Sequence, residues 1–158
     1  MKINYGYYSI LFLCILGGCE QSRQTLFIEK EEYKGILFKK DFSVTFPDGE
    51  TEGAVHFVPG SFSEGWDPTI EDIEITEQHL VVYNKDSLGF DNLNKYFRQY
   101  IGYKDTLGEN IIWINLVSIK NIRDELLSMP LIIQDADSLV FTINYRLSDS
   151  TFFDFRFY

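Results

Sequence analysis

The chain is poor in the residues that staple small proteins or carry their reactions. Of 158 residues only two are cysteine, Cys14 and Cys19, and both lie near the N-terminus. A disulfide framework across the remainder is therefore excluded. Histidine is as scarce, at His56 and His79, and neither belongs to a His-x-His or His-Glu-x-x-His arrangement. No zinc signature follows. The N-terminal apolar stretch, Tyr7 to Leu16, stops well short of the about 20 residues that span a bilayer as a helix. Basic clusters are missing too: Lys and Arg number 14 against 24 Asp and Glu, for a net charge of −10. Phosphates would go unneutralised, so nucleic acid is not an expected partner. The acids are scattered, which reads as a solubilising surface.

What is present begins with Leu16-Gly17-Gly18-Cys19, preceded by the apolar stretch and by Lys2. This resembles a bacterial lipoprotein signal peptide with its lipobox. Cys14, behind Phe12-Leu13, fits that pattern poorly. The resemblance implies a cleaved signal over 1–18, a lipidated tether over 19–25 and one domain over 26–158. Cys19 would carry diacylglycerol and palmitate-type chains; one acyl chain alone binds membranes only marginally. The expected location is the cell envelope, at the outer membrane, with the periplasmic or surface face left open. Both thiols are then spent, and the mature 140 residues carry about −11 once Lys2 is removed. Such a domain stands on its core alone, for which 10 Tyr and 14 Phe are bulky material.

Along the chain, Leu26 to Phe46 mixes short apolar runs with charge and shows no clean period. Val44-Thr45-Phe46, a Pro47-Asp48-Gly49 turn and Ala54 to Val58 suggest a hairpin. Trp66-Asp67-Pro68-Thr69 is a helix start, with Asp67 placed to cap and Pro68 at the first helical position. Ile70, Ile73, Leu80 and Tyr83 then share one helical face, and the helix should end near Asn84 to Gly89. From Tyr96 the period becomes alternating. Tyr96–Tyr103 with Ile111–Val117, and Leu139–Leu147 with Phe153–Phe157, read as two hairpins joined by a short crossing at Ile122–Leu127. The expected fold class is α+β: one main helix packed on a curved antiparallel sheet of about four or more strands, on a cystatin-like plan.

Three segments carry a second resemblance: Trp66 to Ile73, Arg98-Gln99-Tyr100-Ile101-Gly102-Tyr103, and Ile112-Trp113-Ile114-Asn115. They are similar to a group of small Bacteroidota lipoproteins with Trp-x-Pro-Thr, Arg-Gln-Tyr-x-Gly-Tyr and Ile-Trp-x-Asn motifs, over roughly residues 66–158. After Asn115 this chain departs: Leu116-Val117-Ser118 replaces a Cys-rich run, and Gln134-Asp135-Ala136-Asp137 replaces an Asp-Gly-Gly turn. The resemblance implies location and fold more than activity.

Candidate chemistry is thin. Asp135-x-Asp137 fails as a calcium loop, because Val140 and Arg146 stand where glycine and an acid belong. Ser61-Phe62-Ser63-Glu64-Gly65 lacks the first glycine of a nucleophile elbow. Glu71, Asp72, Glu74 and Glu77 read as a solvated helix face near the positive dipole end. No catalytic residue, metal ligand or cofactor is assigned. The strongest remainder is Tyr96, Arg98 and Tyr100, which share one face of a strand and are of types enriched in binding hot spots. Set against this is an arginine lying over rings or paired with a helix carboxylate. Trp66 and Trp113 read as core anchors. The leading expectation is a non-catalytic binding, inhibitor or accessory module for a protein or peptide. The alternatives are a small envelope hydrolase using the concave sheet face and a carrier of a hydrophobic ligand. Oligomeric state stays open.

Overall fold

A computed structural model describes residues 24–58, 64–119, 129–130 and 140–157. Outside them lie the signal region and Cys19, Ser61 to Ser63, the crossing at Ile122–Leu127 and Asp135 to Asp137. The strands are β1 (Thr25–Glu29), β2 (Lys34–Phe38), β3 (Ser43–Thr45), β4 (Thr51–Gly53) and β5 (Glu64–Trp66), then, after helix α1 (Ile70–Tyr83), β6 (Tyr96–Lys104), β7 (Asn110–Ser118), β8 (Val140–Arg146) and β9 (Thr151–Phe157). The chain is α+β. Seven strands form one sheet in the order β1-β2-β6-β7-β8-β9, with β5 continuing along the same edge of β6 that β2 occupies; β3 and β4 form a separate pair. All pairings are antiparallel except β2 with β6, which run parallel.

The helix begins two residues later than the sequence suggests. Thr69, not Asp67, is the N-cap, and it forms a capping box with Asp72: the Asp72 N–H donates to Thr69 Oγ1, and the Thr69 N–H to Asp72 Oδ2. Asp67 instead accepts from the Lys40 N–H at 2.7 Å, tying the helix entry to the end of β2. One π turn (Asn84–Leu88) extends α1 and stops at Gly89, whose φ of 70° is open to glycine. The Asn84 side chain then bonds both backbone groups of Phe90 at 3.0 Å. Phe90 stacks on Phe141, with ring centroids 4.4 Å apart, which pins the helix exit to β8.

A second correction concerns the first hairpin. Its turn is as expected, with Gly49 at φ 89° and the Phe46 N–H bonded to the Glu50 carbonyl. Its return strand, however, is Thr51–Gly53, and Ala54–Phe57 is a 3₁₀ turn. Alternation did not decide there because both Ala54 and Phe57, three apart, are buried against the sheet.

Both faces of the sheet are covered. Ile73 and Leu80 of α1 pack with Leu37, Tyr100, Ile112, Ile114, Ile143 and Tyr145 on one face. On the other, Phe42, Ala54, Phe57 and Val58 pack with Ile36, Phe38, Ile101 and Trp113. This double cover explains why β6 and β7 are buried along almost their whole length. It also leaves Gly102 without room for a side chain: a Cβ there would stand 2.5 Å from Pro68 Cδ and from the Trp66 carbonyl. Trp66 in turn donates its indole N–H to the Ile111 carbonyl at 3.1 Å. Trp66, Pro68, Thr69 and Gly102 thus form one junction where the chain leaves the sheet to start the helix.

Candidate functional site: a charged floor beneath the helix

The strand face shared by Tyr96, Arg98 and Tyr100 is not an open surface. Helix α1 lies over it, leaving Arg98 1% and Tyr100 0% exposed, with Tyr96 half-buried. Burial of a guanidinium demands a counter-charge and hydrogen-bond acceptors, which Arg98 finds for Nη1 and Nη2, while Nε is buried with no partner among the described residues. Glu77, on the inward side of α1, supplies the charge: its Oε2 lies 3.4 Å from Arg98 Nη2. Arg98 Nη1 donates to the Leu93 carbonyl at 2.8 Å and to the Tyr96 carbonyl. Its guanidinium also sits over the Tyr33 ring, 5.7 Å from the centroid. Tyr100 donates its hydroxyl to the other Glu77 oxygen at 2.8 Å. Glu77 is therefore buried, at 4% exposure, and departs from the solvated face expected of the helix acids.

Gly35 makes the arrangement possible. It pairs with Arg98 across the parallel β2–β6 ladder, and a Cβ there would meet the Arg98 carbonyl at 2.7 Å and the Tyr100 ring at 2.8 Å. Burial, with Glu77 next, holds the Tyr100 hydroxyl well above its ordinary pKa. Burial, then Glu77 and Glu74, pushes Tyr33 up to about 12, against the opposing pull of Arg98. Both phenols are neutral at physiological pH; Tyr100 donates to Glu77, whereas the Tyr33 hydroxyl is buried with no hydrogen-bond partner among the described residues.

Above this floor opens a cleft of about 330 Å³ between α1 and the β1–β2 turn. Its floor includes Arg98, Glu77 and Tyr33; its rim includes Lys30, Glu32 and Glu74. Lys30 and Glu74 form an ion pair across the rim at 2.5 Å. A broader hollow of about 450 Å³ lies between the C-terminal half of α1 and the β8–β9 turn. There His79 is held through Nδ1 by the Tyr145 hydroxyl, whereas His56 is exposed in the 3₁₀ turn. Among the described residues no group of three or more His, Cys, Asp or Glu is placed to hold a metal ion, and no helix is long and apolar enough to cross a membrane.

Compared with protein-family models, curated proteins and solved structures, the chain matches none. Arg98 is readable from sequence as the chemistry-bearing residue of its strand, but its partners are not. Glu77 lies 21 positions away and Tyr33 lies 65 away. One signal could have found Glu77: it falls one turn after Ile73 and one before Leu80, on the apolar stripe.

Proposed function

We propose that the chain is a lipid-anchored envelope protein that binds a protein or peptide partner without chemistry, using the cleft beside Arg98 for recognition. The observation that carries this reading is the self-neutralised floor of the cleft, whose one carboxylate without an ion pair among the described residues, Glu32, stands exposed on the rim. Glu77 is held by Arg98 and Tyr100, and Glu74 by Lys30. A buried Arg–Glu–Tyr floor, neutralised within itself beneath an exposed rim, suits recognition. The anchor rests on Leu16-Gly17-Gly18-Cys19 and on the similarity to small Bacteroidota lipoproteins.

Two measurements test it. Cys19→Ala should abolish incorporation of labelled palmitate and release the protein from membranes; continued labelling refutes the anchor. For the cleft, a photo-crosslinking residue replacing Gln78, an exposed member of its lining, should give a discrete protein adduct in intact cells. Val81→Trp, which fills the cleft, should remove that adduct without lowering Tm. An adduct that survives the filled cleft sinks this reading.

A further inference from the structure

The two edges of the large sheet are built differently. At β9 the register with β8 shifts between Thr142 and Asn144, and Asp154 takes a left-handed φ of 52°. Its carboxylate holds the Arg156 guanidinium at 2.7 and 3.0 Å. A bulge and charges of this kind stop a further strand from adding. Strand β1 has no bulge, and its one charged residue, Glu29, stands at its last position, paired with Lys34. Its register with β2 is regular, and its bounds are set by two further bonds, Lys39 N–H to the Gln24 carbonyl and Lys30 N–H to the Tyr33 carbonyl, each 2.9 Å. Antiparallel pairing alternates bonded and non-bonded pairs. Leu26 and Ile28 therefore spend their backbone groups on β2, while Phe27 and Glu29 turn theirs outward. No described residue takes them. Phe27 is 52% exposed beside the Phe97 ring, and Leu26 is 39% exposed, so the open edge is also apolar.

At the turn end of this edge the unpaired charge is acidic, while Lys39, beside Gln24, stands at the opposite end. Lys34 binds Glu29 and Lys30 binds Glu74, leaving Glu31 and Glu32 exposed with no ion pair among the described residues. A second copy of this chain, at −10, would meet that charge with its own. We infer that the outer edge of β1 accepts an extended, basic segment of a partner protein as an added strand. Apolar residues of that segment lie on Phe27, and its Lys or Arg face Glu31 and Glu32. Main-chain bonds to Phe27 and Glu29 give affinity, and the side chains give selection. This rests on the binding-module reading and names the kind of partner it takes.

The test uses the full chain in detergent and an acetylated heptapeptide alternating lysine and valine. With peptide tenfold above its Kd, exchange at the Phe27 and Glu29 amides should slow by about tenfold. Phe27→Pro removes one outward N–H while sparing the β2 ladder, a change edge strands tolerate; it should abolish the protection, and Phe27→Leu should keep it. Glu31→Lys with Glu32→Lys should weaken binding, as should the glutamate–valine heptapeptide in place of the lysine one. Val81→Trp should leave strand addition unchanged, so that failure of the cleft and failure of the edge are read separately. Protection confined to other amides, full binding by Phe27→Pro, equal binding of the acidic peptide, or a dimer seated on this edge in sedimentation overturns the inference.

Discussion

The two faces of the sheet bury polar groups in opposite ways. Beneath α1 the buried polar side chains include a charged pair, Arg98 and Glu77, each dependent on the other, beside the neutral Thr76. On the far face they are neutral. Gln99, Asn115 and Thr142 stand side by side across β6, β7 and β8. Asn115 Nδ2 donates to Gln99 Oε1 at 2.9 Å, and Gln99 Nε2 to the Met129 carbonyl at 3.0 Å. Nearby, Tyr103 donates to Asn144 Oδ1 at 3.2 Å. An amide carries donor and acceptor together, so a row of amides can satisfy itself within a sheet. A guanidinium cannot, and must import its acceptor from another element. The helix face is consequently where an acceptor has to come from another element as a charge, whereas the far-face amides bond one another and a backbone carbonyl.

The largest effect should come from breaking the charged face. Glu77→Leu strands Arg98 without its counter-charge and should destabilise by about 3–5 kcal/mol in urea unfolding. Adding Arg98→Met to it should restore much of that loss, because an apolar pair removes the desolvation penalty. A double variant no more stable than Glu77→Leu would show that packing, not charge, holds this face. Gly102→Ala attacks the junction that seats the helix on its face. Its Cβ meets backbone as well as Pro68, so a loss of about 1–3 kcal/mol is expected from the same measurement.

The amide face should yield less. Gln99→Leu leaves the Met129 carbonyl and Asn115 without their partner, at about 1–3 kcal/mol, and it should leave Glu77→Leu additive when the two are combined. Strong non-additivity would mean the faces are coupled through β6. Smallest at neutral pH is the tyrosine contribution, which is visible only in alkali. Tyr33 beneath the helix and Tyr103 on the far face both titrate near 12 when folded, each chiefly through burial. The unfolded chain loses those protons from about pH 10. Stability from both groups is thus intact below pH 10 and falls between about pH 10 and 12. Tyr33→Phe should flatten the decline, followed by circular dichroism at each pH.

Much of this architecture is legible locally. The β6–β7 and β8–β9 hairpins announce themselves by alternation and by the unbroken apolar run of β7, and the helix by its Ile73–Leu80 stripe, though its cap falls at Thr69 rather than Asp67. β1 and β2 are not legible: five residues each, they carry no sustained period. Their place is fixed only by the parallel pairing of β2 with β6, which sequence periodicity cannot report. The three segments singled out in the sequence, Trp66 to Ile73, Arg98 to Tyr103 and Ile112 to Asn115, share tertiary work. Trp66, Pro68, Thr69 and Gly102 seat the helix, Arg98 and Tyr100 bind it, and Gln99 and Asn115 bridge the opposite face.

For the site, the sequence named Tyr96, Arg98 and Tyr100 as one strand face, since a strand's period of two needs no tertiary information. By itself it also determined the scarcity of thiols and histidines, the acidic charge and the expectation of an anchored N-terminus at Cys19. Only the tertiary structure decided that this face lies under a helix, that Glu77 is buried there, and that Gly35 and Tyr33 from β2 and its turn complete it. The physical reason is desolvation. Local pattern can say which way a side chain points. Whether a charge there is solvated or buried depends on what packs over it, and that is settled by residues far away in the chain.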